Sequence, residues 1–181
     1  MSEQYLLCRP RGGLNDTLNQ IEKCWQYCFK FNRTLIIDST FSALNPNFLI
    51  FFNFIDYSVK VIFELVNFKD NLNNLTCYPK FLNKNINEYT AEYCIEKFNF
   101  VESTSKKVLS FDFNSIYTED LLIHEQCGGG NLSFSFLERI TLSKQLKSIL
   151  IYQIHKLPIE YHAVHIRNTD YKTKEALQKS S

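Results

Sequence analysis

Apolar residues change period several times along this chain, and the changes mark out its elements. Residues 5–8 (Tyr-Leu-Leu-Cys) form a continuous apolar run of strand length. Leu14, Leu18, Ile21, Trp25 and Cys28 then recur at intervals of four, three, four and three, which places them on one face of a helix. Asn15 or Asp16 is the expected N-cap, because a short side-chain acceptor there satisfies an N–H of the first turn. The helix should end near Phe31 and Asn32, since residues 34–38 (Thr-Leu-Ile-Ile-Asp) are apolar and rich in β-branched side chains. Strand, glycine turn, helix and strand within about 35 residues predict a parallel pair joined by a right-handed crossover.

Residues 41–100 declare no single period. Residues 48–52 are apolar throughout, residues 57–68 fit a strand or a helix, and the Asn-rich stretches at 71–74 and 83–87 read as loops. Residues 107–111 and 120–124 predict two further strands. Leu137, Ile140, Leu142, Leu146, Ile149, Leu150 and Ile154 predict a long amphipathic helix over 136–156, closed by Pro158. Residues 161–167 predict a strand that runs into Asn168, Thr169 and Asp170.

Composition narrows the class. The chain has 181 residues, 45% hydrophobic and 22% charged, an ordinary globular balance. A formal net charge of +1 gives no general attraction to nucleic acid or to an anionic membrane, so any phosphate binding must be local. The run 5–8 stops at Arg9-Pro10-Arg11, too short for a secretory h-region, and the apolar stretch 48–54 is too short to span a bilayer. The six cysteines show no CxxC spacing. They are expected to be reduced thiols in a cytoplasmic protein, with Cys24 and Cys28 facing the core from the helix.

Only five glycines occur, and they fall at Gly12-Gly13 and Gly128-Gly129-Gly130. A chain this sparing with glycine places it where backbone must approach another group or take a positive φ. The first candidate site is therefore Arg11-Gly12-Gly13-Leu14-Asn15-Asp16-Thr17. A glycine turn between strand and helix aims free N–H groups and the helix dipole at one point, suiting a phosphate or carboxylate; the same spacing also fits a tight turn with no ligand. Without GxGxxG, a dinucleotide fingerprint is not supported, although Asp38 ends the second strand where a ribose-binding acid would sit. The second candidate is His165-Ile166-Arg167-Asn168-Thr169-Asp170. Alternation puts His165 and Arg167 on one strand face, where the Arg fork matches phosphate oxygens, or where Arg167 and Asp170 form a solvated pair. The third, His124-Glu125-Gln126-Cys127-Gly128-Gly129-Gly130, collects polar groups at another strand end, where His124 and Glu125 could be acid/base partners; neighbours on a strand face opposite ways, which favours loop residues of no special chemistry, while the glycines could let backbone approach a substrate.

Two of these segments together carry a family resemblance. Gly13-Leu14-Asn15-Asp16-Thr17-Leu18, followed by a helix and Asn32-Arg33-Thr34-Leu35-Ile36-Ile37-Asp38, resembles the opening of the nodulation and core α-1,6-fucosyltransferases and of protein O-fucosyltransferases. Val164-His165-Ile166-Arg167-Asn168-Thr169-Asp170 resembles their HxRxxD motif. The resemblance implies a Rossmann-like parallel-sheet α/β domain over residues 1–157 of a GT-B-like glycosyltransferase. Residues 158–181 would then be the first strand and motif loop of a donor-binding domain. It implies inverting, metal-independent transfer of fucose from GDP-fucose to a glycan or other acceptor, with no cofactor. By similarity Arg167 would bind the donor diphosphate and support its departure, His165 would line the donor site, and Asp170 would hold the motif loop. Gly12, Gly13, Asn15 and Asp16 would face the same cleft from the first domain. Several relatives carry a second Arg where this chain has Asn168, and some carry Gly-Asn in place of Asn15-Asp16. Because Ser181 follows Asp170 by eleven residues, the expectation is a truncated chain, inactive alone. The alternative is a non-catalytic α/β module that binds a nucleotide or phosphate.

Overall fold

The structure, a computed structural model, describes residues 3–45, 47–63, 65, 72, 74–82, 90, 109–128, 133–158 and 160. Residues 1–146 form one compact unit and residues 147–181 a second. The first unit is built on a five-stranded sheet of order β4-β2-β1-β6-β5, in which every pairing is parallel. Its strands are β1 (Tyr5–Arg11), β2 (Thr34–Ile37), β4 (Val61–Ile62), β5 (Cys77–Tyr78) and β6 (Leu121–Cys127). Helix α1 (Leu14–Phe31) links β1 to β2 as the sequence predicts. Among the described residues a second sheet is the two-stranded antiparallel pair β3 (Phe52–Phe54) and β7 (Ile140–Leu142).

Burial on both faces explains the unbroken apolar runs. Leu6, Cys8, Leu35, Ile37 and Leu122 pack against Leu18, Ile21, Cys24, Trp25 and Cys28 of α1. The alternate residues Leu7, Ile36, Leu121 and Ile123 face a separate cluster with Leu72, Cys77, Leu82 and Leu109. Leu14, expected on the inner face of α1, is 48% exposed at its first residue. The helix stops at Asn32, whose φ of 52° is left-handed, and Arg33 N–H donates to the Cys28 carbonyl at 3.0 Å. Asparagine tolerates that conformation better than most residues, so the stop near residues 31–32 was legible.

Three sequence expectations are corrected. Strand β1 continues through Pro10 to Arg11 instead of stopping at Cys8. Beyond the Cys8–Ile37 register β2 has ended, so that flank of β1 carries no ladder that a missing N–H would interrupt. The N-cap of α1 is Gly13, with no side-chain cap bond, and Asn15 and Asp16 lie inside the first turn. The long helix over 136–156 is instead α2 (Ser133–Leu137), β7 and α3 (Lys144–Ile154). Residues 140–142 are drawn into a ladder by Phe52, Asn53 and Phe54, and that tertiary pairing overrides the helical period.

Aromatic packing organises residues 48–63, the first part of the stretch that sequence left undecided. Phe48 lies 5.6 Å from Phe52, 5.5 Å from Phe54 and 5.5 Å from Phe63 between ring centroids, and Phe136 packs on Phe54 at 5.4 Å. Arg139 fastens this layer to α1. Its guanidinium donates to both oxygens of the fully buried Glu22 at 2.9 and 3.1 Å, to Asp56 at 2.8 Å, and lies 3.6 Å from the Trp25 ring centre. Among the described residues, no helix is long and apolar enough to cross a membrane.

Candidate functional site at the carboxyl edge of the sheet

The order of the strands locates the site. From β1 the chain passes through α1 to β2 on one side, and β6 lies on the other side of β1. The carboxyl ends of β1 and β6 therefore flank the point where strand order reverses, the usual ligand crevice of an open parallel sheet. Arg11 and Cys127 are register partners there, so the glycines that follow them, Gly12 and Gly128, are brought together. Gly12 and Gly128, 116 positions apart in sequence, both take positive φ, 96° and 72°.

Asp16 sits between them. A Cβ placed on Gly12 would lie 2.9 Å from an Asp16 carboxylate oxygen and 2.8 Å from Cys127 Sγ, whereas one on Gly128 would meet the other Asp16 oxygen at 3.6 Å. Glycine at position 12 is thus required twice, by backbone conformation and by the close approach of two side chains. Gly12→Ala should cost about 1–3 kcal/mol of stability in urea unfolding, the usual range for a strained backbone position. Gly13→Ala is the control, because its φ of −71° is ordinary and the nearest atom to a new Cβ is 4.0 Å away. Equal losses in the two variants would refute this account of Gly12.

The face of the sheet away from α1 carries ionic pairs at the same edge. Arg9 Nε donates to Asp38 at 3.1 Å, and the two side chains are 2% and 9% exposed. Asp38 also accepts from Thr40 N–H at 3.2 Å and its hydroxyl at 2.6 Å. Asp38 is thereby committed to holding the β2 end, which answers the suggestion of a ribose-binding acid. Arg11 Nη2 lies 2.5 Å from Glu125 Oε1, and its guanidinium stands 5.1 Å from the centre of the Phe41 ring. Glu125 is fully buried while Arg11 keeps a quarter of its side chain exposed, so Arg11 is a cation pre-oriented at the crevice.

His124 and Glu125 both belong to β6, which extends to Cys127, so the expected loop begins later. As strand neighbours they face opposite ways. Glu125 meets Arg11, whereas His124 turns toward α1, with Nε2 2.6 Å from Gln20 Oε1 and Nδ1 2.6 Å from Ser110 Oγ. Burial, with a smaller contribution from the Lys23 ammonium, pushes the imidazole down to about 3. A group so shielded is no general base for a ligand in the crevice.

The structure thus brings Gly12, Gly13, Asn15 and Asp16 to one edge, with the Asn15 carbonyl accepting from Asn19 at 3.1 Å. His165, Arg167 and Asp170 lie outside the described residues. Arg9 and Gln20 were not singled out from sequence, whereas Arg11 and Glu125 stood in the first and third candidate segments without their pairing being read. The local signal for Arg9 was the alternation Arg9-Pro10-Arg11, which a strand ending at Cys8 concealed. A cavity of about 680 Å³ opens at the amino edge, lined by Glu3, Phe29, Arg33 and Lys60 among others. It lies at the carboxyl-terminal, electronegative end of α1 and away from the strand ends that α/β folds use for ligands, so size alone does not make it the site. Among the described residues, no group of three or more His, Cys, Asp or Glu side chains is placed to hold a metal ion.

No family model matches the chain, and no curated protein matches it. Solved structures do. The crystal structure of fucosyltransferase NodZ from Bradyrhizobium is similar with a TM-score of 0.54 at 16% identity, over 86% of this chain and 57% of that one. NodZ alpha-1,6-fucosyltransferase co-crystallized with GDP gives a TM-score of 0.52 at 17% identity, over 86% and 57%. This chain therefore spans a little over half the length of those structures. Its α/β architecture, built on a five-stranded parallel sheet, is a fucosyltransferase-like fold.

Proposed function

We propose that this chain belongs to a glycosyltransferase-like enzyme that takes fucose from GDP-fucose and transfers it to a glycan or other hydroxyl-bearing acceptor. The observation that carries the reading is the fold shared with NodZ over 86% of the chain, together with the glycine turn of β1 at the strand-order reversal. A NodZ structure holds GDP, which makes a guanosine diphosphate the ligand to test first. In this reading Arg167 binds the donor diphosphate and stabilises negative charge that grows on the leaving β-phosphate. His165 lines the donor site and Asp170 braces the motif loop. Gly12, Gly13, Asn15 and Asp16 face the reacting groups from the first domain. Asp16 places a carboxylate at the positive end of α1, where a second phosphate would be repelled. That edge is therefore assigned to hydroxyl groups of the sugar or acceptor, and the diphosphate to Arg167. The transfer needs no metal in this scheme, since arginine supplies the charge.

Calorimetric titration with GDP and GDP-fucose tests the reading without an acceptor. Binding should be detectable, and Arg167→Ala should weaken it by about 1.5–3 kcal/mol, as for a charge-assisted hydrogen bond. Arg167→Lys should recover only part, because an ammonium lacks the fork. Full affinity in Arg167→Ala would sink the motif assignment.

A further inference from the structure

A buried line of hydrogen bonds runs from the core to the crevice. Ser110 Oγ lies 2.6 Å from His124 Nδ1, His124 Nε2 lies 2.6 Å from Gln20 Oε1, and Gln20 Nε2 donates to the Gly128 carbonyl. Ser110, His124 and Gln20 are 3%, 0% and 1% exposed. The last link sets the direction of all the others. A carbonyl only accepts, so Gly128 takes the Gln20 amide N–H and leaves Gln20 Oε1 to accept from His124. The imidazole proton must then be on Nε2, and Nδ1 accepts the Ser110 hydroxyl proton. The competing acceptor for that hydroxyl, the Phe111 carbonyl, is farther at 3.4 Å.

Three polar side chains in a packed core are costly unless each is satisfied, and an apolar set of similar volume would fill the space. What an apolar set would not supply is the bond at the far end. The Gly128 peptide, at φ 72° and placed so that a Cβ on it would meet Asp16 at 3.6 Å, has its carbonyl tied to α1 through Gln20. We propose that Gln20 and His124 are positioning residues, whose fixed-polarity relay from Ser110 holds the Gly128 peptide in place at the β1/β6 crevice. Their consequence for ligand binding rests on the function proposed above, but the relay itself is measurable without any ligand.

The experiment is nuclear magnetic resonance on the 181-residue protein. Imidazole ¹⁵N shifts should show His124 as a single neutral Nε2–H tautomer at pH 7, a signal identified by its loss in His124→Phe. Selective ¹⁵N-glycine labelling should place the Gly128 order parameter near about 0.85 in the unsubstituted protein and below about 0.6 in Gln20→Leu and His124→Phe. Gly13 should keep its value in both, which separates local release from general loosening. An Nδ1–H tautomer, or a Gly128 order parameter unchanged in a folded variant, would overturn the proposal. The tautomer is read on the unsubstituted chain and decides even where a variant fails to fold. GDP titration of the same samples keeps the two proposals apart. Absence of GDP binding by the unsubstituted chain counts against the donor reading alone. Where GDP-fucose binds, Gln20→Leu should weaken its binding at least tenfold, and unchanged affinity beside a loosened Gly128 would overturn the functional consequence of the relay.

Discussion

Asp38→Ala should destabilise the first unit by about 3–5 kcal/mol, the usual loss when one partner of a buried ion pair is removed. Arg9 is 2% exposed, and its Nε donates to Asp38 at 3.1 Å. Without the carboxylate, that guanidinium keeps its desolvation cost and loses the counter-charge of Asp38. The pair as a whole need not be stabilising, since two apolar side chains of similar volume often do as well. Arg9→Met should therefore be damaging alone, and Arg9→Met combined with Asp38→Leu should recover most of the loss. Urea unfolding of the two single variants and the double variant closes this cycle. Additive losses in the double variant would show that the two side chains do not act as a pair.

Acidification should unfold the protein earlier than its carboxylates alone would dictate, and His124 is the cause. Burial, aided by Lys23, lowers the imidazole from 6.5 to about 3, so the unfolded chain binds a proton that the folded chain refuses. This contribution to stability is complete above pH 6.5 and is lost as pH falls toward the folded value, at up to about 1.4 kcal/mol per pH unit. From pH 6.5 to 5 the expected loss is about 1.6 kcal/mol. Glu3, Asp56 and Asp112 are held low mainly by hydrogen bonds, to Lys60 and Thr34, to Ser58, and to Ser115 and Asn114 respectively. Their contributions have the same sign but fall away nearer pH 4, which leaves the higher window to the histidine. Denaturant midpoints at pH 7, 6 and 5 should decline in the unsubstituted protein and stay nearly level in His124→Gln. A decline of equal slope in both would assign the acid sensitivity elsewhere.

Part of the candidate site was legible because its signal is local. Gly12 and Gly13 stand out in a chain with five glycines, and they follow an apolar run and open a helical period. Their conformational demand is met within four or five residues, and sequence carries it. The pairing of Arg9 with Asp38 or of Arg11 with Glu125 depends on which strands become neighbours and in what register. Adjacency of His124 and Glu125 suggested polar loop residues. The pleat instead sends one to Gln20 and the other to Arg11, and both are fully buried. The HxRxxD-like residues 165–170 were legible as a motif, and their place in the structure lies outside the described residues.

By itself the sequence determined β1 as far as Cys8, α1, β2 and the first part of β6. A four-three repeat can bury one helix face, and two apolar runs suit strands covered on both sides, so local period and burial demand the same structure. Tertiary structure decided the rest. Phe48, Phe52, Phe54, Phe63 and Phe136 fit several secondary structures equally well until they meet in one cluster. Residues 140–142 satisfy a helical period on paper but form β7, because their backbone groups find partners on Phe52, Asn53 and Phe54. Gly12 and Gly128 meet only because β6 lies beside β1, a contact between residues more than a hundred positions apart. Such contacts repay their loop-closure entropy only when the whole sheet forms, which is why no window of sequence contains them.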